Sequence, residues 1–461
     1  MMTPKKAMSC VALTILLSFI ASFLGLQFKQ QVAVTVFLGI ICATLFFWEM
    51  RLSFGFIGLT TLLLLGLLDI PHLVEFASLD LILFLIGMML VIGFLEEKRF
   101  FEHVIEQILS LVGKKAVRLT VVMLVISFVS AALVDEVTSI LFMCATLLQL
   151  THRFKIDPKP FILMIVFCTN IGSSATVVGN PIGILIALRG GFTFMDFLRW
   201  AAPISLVALA VAILFCLLFF RKNISALQHA MEKEVKNPIH IEPVSKKDLR
   251  TCWTLFLTTI AFLVLHHQLE EWIHLEKNSL LLGIPLAAGG VALFLSGIHA
   301  RELAEKRVDW WTLTFFVALF ATVGTLRYTG VTQVIAARLA DVAHGNYPLL
   351  LTGVTWSSGL LSAFLDNVLA VATFAPILAD LKEIGLHTVP LWWGMLFGCA
   401  YGGNMTIIGS TANIVAVGLL ERRKEGRFTF VEWLIPGILV VLLTLTAATL
   451  LVYLQIPLMP H

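Results

Sequence analysis

Long runs of apolar residues, separated by short polar stretches, make up most of the chain. A transmembrane helix needs about 20 such residues, and many runs reach this length. They lie at about 7–26, 31–48, 54–70, 79–95, 198–220, 251–267, 279–298, 310–326 and 431–455. Two more, at about 160–188 and 390–420, are interrupted by glycine, asparagine and threonine. The pattern therefore predicts about 11 transmembrane helices, two of which are broken in the middle.

Two further runs, at about 117–150 and 348–386, are awkward as single spans, because acidic residues interrupt each run near its middle. We interpret both as re-entrant hairpins, whose tips carry Asp135–Glu136 and Asp366–Asn367. Charged and amide groups at membrane depth cost several kcal/mol unless they are partnered. These tip residues are therefore the first candidates for function.

Composition places the chain among membrane proteins. Of its 461 residues, 59% are hydrophobic and 13% are charged, whereas soluble domains carry about 25% charged residues. Its seven cysteines show no metal-type spacing and indicate no disulfide framework. We therefore predict an all-α polytopic membrane protein with no cofactor and no metal beyond Na⁺ as a transported ion.

The positive charges predict an orientation. With the N-terminus inside and each hairpin returning to its own side, the inside loops hold 25 of the 32 Lys and Arg residues. Cytoplasmic loops of membrane proteins carry such an excess. We therefore expect a cytoplasmic N-terminus, an external C-terminus and a location in the plasma (inner) membrane.

The chain also matches itself at a distance of 231 residues. Asp135 then aligns with Asp366 and Cys168 with Cys399, and with a slip of one residue Gly172 aligns with Gly402. Corresponding spans run in opposite directions in the predicted topology, so the repeats are inverted, as in many secondary transporters. The predicted parts are an extra N-terminal helix at 1–30, repeat 1 at 31–221, a cytoplasmic linker at 222–250 and repeat 2 at 251–461.

Broken helices free backbone groups that line cavities or bind solutes. The candidate solute- and ion-binding residues are Asp135, Glu136, Asn170, Ser173, Ser174, Thr176, Asn180, Asp366, Asn367, Asn404, Thr406, Ser410, Thr411 and Asn413. The candidate hinge and backbone residues are Gly172, Gly179, Pro181, Gly402, Gly403 and Gly409. The four motifs contain three carboxylates and no Lys or Arg, so the site favours protons or cations. An organic anion would need Na⁺ to neutralise the site first.

Several of these residues have a plainer interpretation. Asp135 and Asp366 could do no more than close the hairpin tips, and Glu136 could reach cytoplasmic water. Asn180 and Asn413 could be helix caps and not ligands. These alternatives stay open at the level of the sequence.

The segments LVDEVTSILFM, NIGSSATVVGNP, FLDNVLAVATFAP and GGNMTIIGSTANIVAVG resemble the ion transporter superfamily. They are most similar to the branch of arsenite permeases, D-type sodium–proton antiporters and the P protein. Glu136 stands where that branch has asparagine, and Asn180 where it usually has aspartate. The resemblance implies a fixed scaffold domain and a transport domain that moves as an elevator, with dimerisation through the scaffold.

The leading hypothesis is a secondary active transporter, coupled to H⁺ or Na⁺ through its carboxylates. Its cargo would be arsenite, antimonite or Na⁺ exchanged for H⁺; the alternative is a Na⁺-coupled symporter of di- or tricarboxylates. Two Asp residues could also suggest an intramembrane aspartyl protease, but the motifs of that chemistry are absent, so we expect no enzyme. The sequence has no Walker motif, so an ATPase would be a separate protein. The expected partners are membrane lipid and the solute, with no nucleic acid.

Overall fold

The computed structural model describes residues 4–110, 115–233, 245–343 and 345–460, and these contain helices and no strand. The α-helices are Pro4–Ser22, Phe28–Phe46, Arg51–Leu64, Ile70–Phe76, Leu79–Glu97, Phe100–Ser110, Ala116–Leu133, Glu136–Phe154, Lys159–Gly172, Pro181–Gly190, Phe194–Asp196, Ala202–Phe219, Arg221–Lys233, Lys246–Ile273, Ser279–Ser296, Ala300–Arg307, Trp310–Tyr328, Val331–Ala343, Tyr347–Phe364, Asn367–Glu383, Val389–Gly402, Thr411–Arg422 and Phe430–Gln455. In this part of the chain ten helices are long and apolar enough to cross a membrane. The predicted all-α membrane fold is confirmed.

One predicted span is shorter than expected. The apolar run at about 54–70 contains the helix Arg51–Leu64, which has only 14 residues. The helix ends there because Gly66 adopts φ of +66°, a left-handed conformation that does not continue an α-helix. Asp69 then caps a new short helix, Ile70–Phe76, by accepting from the amide of His72.

The predicted linker at 222–250 is more helical than its charge suggested. Its first part forms the helix Arg221–Lys233, whose apolar side chains Ile224, Leu227 and Met231 are buried. Apolar residues three or four positions apart form one face of a helix, which a count of charges does not reveal. Residues 234–244 of the linker, and residues 111–114 of the predicted inside loop, lie outside the described residues.

The helices of the first half recur in the second half. Leu79–Glu97 recurs as Trp310–Tyr328, and Ala116–Leu133 recurs as Tyr347–Phe364, in both cases 231 residues later. Close contacts recur with them: a Cβ on Gly172 would collide with the backbone of Phe128, and one on Gly402 with the backbone of Gly359. The sequence repeat therefore corresponds to a repeated set of helices. Their opposite orientation in a membrane stays a prediction.

The two halves also exchange packing partners. Leu79–Glu97 of the first half packs on Ser279–Ser296 of the second half, where Gly87 lies against the backbone of Pro285. Trp310–Tyr328 of the second half packs on Arg51–Leu64 of the first half. Each half thus packs on the other, and the largest hydrophobic core contains residues of both halves.

Ion pairs and hydrogen bonds define two ends of the molecule. At one end Arg307 pairs with Glu96 at 3.0 Å, and this is the end predicted to be cytoplasmic. At the other end Arg327 pairs with Glu383 at 2.8 Å, and the hydroxyl of Tyr347 donates to the carbonyl of His387 at 2.6 Å. We call these the inner end and the outer end, after the predicted orientation.

Candidate functional site

Two helix pairs carry the acidic motifs at their tips. Hairpin 1 consists of Ala116–Leu133 and Glu136–Phe154, and hairpin 2 of Tyr347–Phe364 and Asn367–Glu383. At the outer end, Tyr347 begins hairpin 2 and donates a hydrogen bond to the carbonyl of His387, which follows the hairpin. This bond holds the start and the end of hairpin 2 together. That these hairpins enter the membrane and return to the same side stays a prediction.

The two aspartates cap the second helix of each hairpin. Oδ1 of Asp135 accepts from the amides of Val137 at 2.7 Å and Thr138 at 3.2 Å. Oδ1 of Asp366 accepts from the amide of Val368 at 2.9 Å. One oxygen of each carboxylate therefore closes a hairpin tip, as the plainer interpretation proposes. Oδ2 of Asp366 has a further partner, described below.

The broken helices lie directly against these tips. We define break 1 as Ser173–Asn180, between the helices Lys159–Gly172 and Pro181–Gly190, and break 2 as Gly403–Ser410, between Val389–Gly402 and Thr411–Arg422. The hydroxyl of Thr176 donates to the carbonyl of Ala132 in hairpin 1. The hydroxyl of Thr406 donates in the same way to Ala363 in hairpin 2. Each hydroxyl thus ties its break to a hairpin.

Gly179 and Gly409 allow the breaks to approach the tips this closely. A Cβ on Gly179 would stand 2.7 Å from the carbonyl oxygen of Ala131, and one on Gly409 would stand 3.1 Å from that of Ala363. Real Cβ atoms tolerate neither distance without displacement of their neighbours. Both glycines are therefore required by the space available.

After each break a polar side chain starts the next helix. Oδ1 of Asn180 accepts from the amide of Ile182 at 3.1 Å, directly before the helix that begins with Pro181. The Ser410 hydroxyl accepts from the amide of Ala412 at 3.2 Å. Asn180 is therefore a helix cap, as its plainer interpretation held, and its Nδ2 remains available for a second partner.

Three asparagines from the two halves meet at the centre. Nδ2 of Asn170 donates to Oδ1 of Asn404 at 2.8 Å and to Oδ1 of Asn413 at 2.9 Å. Nδ2 of Asn413 in turn donates to the carbonyls of Gly403 at 2.7 Å and Thr406 at 2.8 Å. Asn413 therefore fills break 2 from within and does not act as a helix cap.

Glu136 bridges the two halves. Its Oε2 accepts from Nδ2 of Asn180 at 2.6 Å in its own half, and its Oε1 accepts from the hydroxyl of Ser410 at 3.3 Å in the other half. Only 4% of Glu136 is exposed, so it does not reach water at the tip. Both of these hydrogen-bond donors are neutral. A buried carboxylate with neutral partners is costly when charged, so this position suits a bound proton or cation.

Asn367, the counterpart of Glu136 in hairpin 2, keeps its contacts within its own half. Its amide orientation is assigned from its neighbours, with the nitrogen donating to the carbonyls of Gly409 at 2.9 Å and Cys399 at 3.0 Å and to the hydroxyl of Ser362 at 2.7 Å. The two carbonyls are acceptors that a carboxylate could not satisfy.

The remaining predicted residues lie at the edges of the cluster. Thr411 donates to Oδ2 of Asp366 at 2.5 Å. Ser173 donates to the carbonyl of Asn170 at 3.0 Å, and Ser174 to that of Ile171 at 2.8 Å. Twelve of the fourteen predicted binding residues are buried, and Asp135 and Thr411 are half-buried. Their roles in binding stay predictions.

The sequence reasoning missed several side chains beside this region. The hydroxyl of Ser205 lies 2.8 Å from that of Ser174, and the hydroxyl of Tyr401 lies 3.4 Å from it. The indole nitrogen of Trp433 donates to the carbonyl of Asn404 at 3.1 Å. Ser205 and Trp433 lie in ordinary apolar helices, so no local signal marks them, whereas Tyr401 lies two residues before break 2.

The described residues offer no cluster of three or more His, Cys, Asp or Glu side chains that could hold a metal ion. All seven cysteines are free and buried. The polar centre is instead lined by amide, hydroxyl and carboxylate oxygens, which suit hard cations such as Na⁺.

With this geometry in place, comparison with known proteins identifies the family. The family model CitMHS, described as a citrate transporter, matches residues 41–398 and 326–460. The chain belongs to this citrate transporter family. The matched segments contain both hairpins and both breaks, and the protein is therefore a membrane transporter.

Relatives of this citrate transporter family member extend the comparison. An uncharacterized transporter of Mycobacterium tuberculosis is 28% identical over 383 residues, covering 82% of this chain and 86% of the relative. The 46 kDa membrane protein of Mycobacterium leprae is 28% identical, with the same coverage. The human P protein is 27% identical over 436 residues, covering 79% of this chain and 52% of that protein. The predicted resemblance to the branch containing the P protein is confirmed.

A solved structure agrees on the fold. The YdaH transporter of Alcanivorax borkumensis matches with a TM-score of 0.58 at 14% identity, covering 84% of this chain and 87% of that one. At this identity the match establishes the fold alone.

Proposed function

We propose that this citrate transporter family member is a secondary active transporter in which Glu136 carries the coupling cation, H⁺ or Na⁺. The single observation that supports the proposal most is the position of Glu136: buried at 4% exposure and bonded to Asn180 of one half and Ser410 of the other. A cation bound there would change the contact between the halves. Asp366 and Asp135 at the tips complete the acidic site.

For the cargo, the chemistry of the site favours a small inorganic solute. Its described hydrogen-bonding groups are carboxylates, hydroxyls and the amides of Asn170, Asn404 and Asn413. Such groups can receive a neutral hydroxide of arsenic or antimony, or Na⁺ exchanged for H⁺, without a basic side chain.

A second candidate is symport of a di- or tricarboxylate with Na⁺, and the family description as a citrate transporter favours it. The acidic side chains would then have to be neutralised by Na⁺ before a carboxylate entered.

The motion we propose is that of an elevator in two inverted repeats. The hairpins and breaks form the moving domain, and the exchanged helices Leu79–Glu97, Ser279–Ser296, Arg51–Leu64 and Trp310–Tyr328 form the scaffold. The repeated helix bounds and the reciprocal packing support this division. We further propose dimerisation through the scaffold, a cytoplasmic N-terminus and residence in the plasma membrane, with neither a cofactor nor a partner ATPase required.

The experiment is a panel of flux assays in proteoliposomes with Na⁺, arsenite, citrate and phosphate under imposed pH and Na⁺ gradients. We expect one cargo to accumulate without ATP and to lose accumulation when the gradient is collapsed, by a protonophore or a Na⁺ ionophore. Glu136→Gln should abolish the gradient-driven part. The matched control is Glu271→Gln, because Glu271 is 70% exposed. Accumulation that requires added ATP, or that persists when both gradients are collapsed, would overturn the proposal.

A further inference from the structure

Arg51 is a buried cation outside the predicted motifs. It begins the helix Arg51–Leu64 and is 8% exposed. Its Nη2 donates to the hydroxyl of Thr312 at 2.7 Å, and its guanidinium carbon lies 4.3 Å from the centre of the Trp48 ring. Its Nε is buried and has no hydrogen-bond partner. Thr312 and Trp48 therefore fix the guanidinium in place while one donor stays unused.

This guanidinium stands close to the tip of hairpin 2. Trp48 and Asp366 line the same small cavity of about 20 Å³, together with Ile408 of break 2. That volume accommodates about one water molecule or a bare ion. Arg51 lies within electrostatic range of Asp366. The cavity therefore lies between a carboxylate of the proposed moving domain and the Trp48–Arg51 pair.

Other charges surround the two groups. Glu49 and Asp309 act on Arg51 from its own side, and Glu136 acts on Asp366 from hairpin 1. Asp366 thus lies between the carboxyl group of Glu136 and the guanidinium of Arg51. Because an opposite charge stabilises an unoccupied carboxylate, Arg51 competes with any cation that binds to Asp366.

The two sides of this cavity belong to different proposed domains. Arg51 and Thr312 lie on paired scaffold helices, at the inner end that the Arg307–Glu96 ion pair defines. Asp366 lies in hairpin 2, which moves in the proposed mechanism. In the proposed mechanism, hairpin 2 would therefore approach Arg51 only in the state in which the hairpin lies nearest the inner end.

We propose that Arg51 is a positioning residue: when hairpin 2 reaches the inner end, it weakens cation binding at Asp366, which completes the acidic site around Glu136, and so promotes release of the coupling cation on that side. The inference rests on the proposed function, because it assumes a coupling cation and a moving hairpin. Under this proposal, the fixed charge of Arg51 gives the transporter a lower cation affinity at the inner face than at the outer face.

The test measures the cation concentration for half-maximal transport separately at each face of oriented proteoliposomes, with Na⁺ and H⁺ varied in turn. Arg51→Gln should raise the apparent cation affinity about tenfold at the inner face and leave the outer face unchanged. Arg51→Lys keeps the charge and should shift the affinity far less. Arg51→Met replaces Arg51→Gln if the glutamine variant does not fold.

A double-variant comparison identifies the partner. Binding of radioactive Na⁺, and proton uptake, are measured on the purified full chain for Arg51→Gln, Asp366→Asn and both together. The effect of Arg51→Gln should disappear in the Asp366→Asn background. An effect that persists there, that is equal at both faces, or that is absent altogether overturns the inference. If the wild-type protein shows no cation dependence, the proposed function itself fails; if it shows dependence and Arg51→Gln changes nothing, only the role of Arg51 fails.

Discussion

Hairpin 1 and hairpin 2 place different residues at equivalent positions, Glu136 and Asn367. Glu136 reaches out of its own half to Ser410, whereas Asn367 bonds to Gly409, Cys399 and Ser362 of its own half. The acceptors around Asn367 require a donor, and the donors around Glu136 require an acceptor. The difference teaches that the Asn367 position holds a neutral donor, whereas the Glu136 position holds a group that can take up a proton or a cation.

The largest effect should come from giving hairpin 2 an acid. Asn367→Asp would place a buried carboxylate against two carbonyl oxygens at about 3 Å and should destabilise the protein by about 3–5 kcal/mol. Thermal unfolding of the purified protein measures this. The control is Asn346→Asp, since Asn346 is an exposed helix cap that aspartate also supplies. A stable Asn367→Asp protein would show that the tips are interchangeable.

A second change shortens the bridge between the halves. Glu136→Asp keeps the carboxylate but withdraws it by one methylene, so that it cannot reach both Asn180 and Ser410. We expect coupled transport to fall about tenfold to a hundredfold while its cation dependence remains. Flux under an imposed gradient measures this, with Glu271→Asp as the control. Unchanged flux would mean that the bridge is not needed.

A third change tests where the halves are alike. Gly172→Ala and Gly402→Ala each drive a Cβ into the backbone of a neighbouring helix, at Phe128 and Gly359. Each substitution should lower the free energy of unfolding by about 1–3 kcal/mol, and the two decreases should be similar. Gly353→Ala is the control, because a Cβ there meets open space. Thermal unfolding that differed strongly between the first two variants would show that the repeats pack differently.

The smallest effect should come from Thr411→Val, which removes the hydroxyl that donates to Asp366 at 2.5 Å. Loss of one hydrogen bond should cost about 1 kcal/mol, and the cation affinity should change by less than about tenfold. Thr373→Val, which removes only a bond to the carbonyl of Leu369, is the control. An effect on affinity as large as that of Glu136→Gln would make Thr411 a principal ligand.

Much of this architecture could be predicted because polar residues in apolar runs are conspicuous. Asp366 and Glu136 stand out for that reason, and the repeat of the motifs fixes which helices correspond. The contacts between Asn170 and its partners could not be predicted, because they depend on how the two halves dock. The position of Arg51 could not be predicted either, since its sequence neighbours do not indicate that the fold buries it near Asp366.

The helix at Arg221–Lys233 was missed for a related reason. Its charges suggested a solvated linker, but Ile224, Leu227 and Met231 give it an apolar face. A segment can be polar in composition and still pack, and only the spacing of its few apolar residues shows this.

The central claim is that Glu136 carries the coupling cation, and solute counterflow in Glu136→Gln proteoliposomes tests it most directly. Counterflow needs binding and movement but no net cation transfer. The account predicts that the variant exchanges labelled for unlabelled solute at near wild-type rates, yet accumulates none under a pH or Na⁺ gradient. Gradient-driven accumulation by Glu136→Gln at the wild-type level would contradict it.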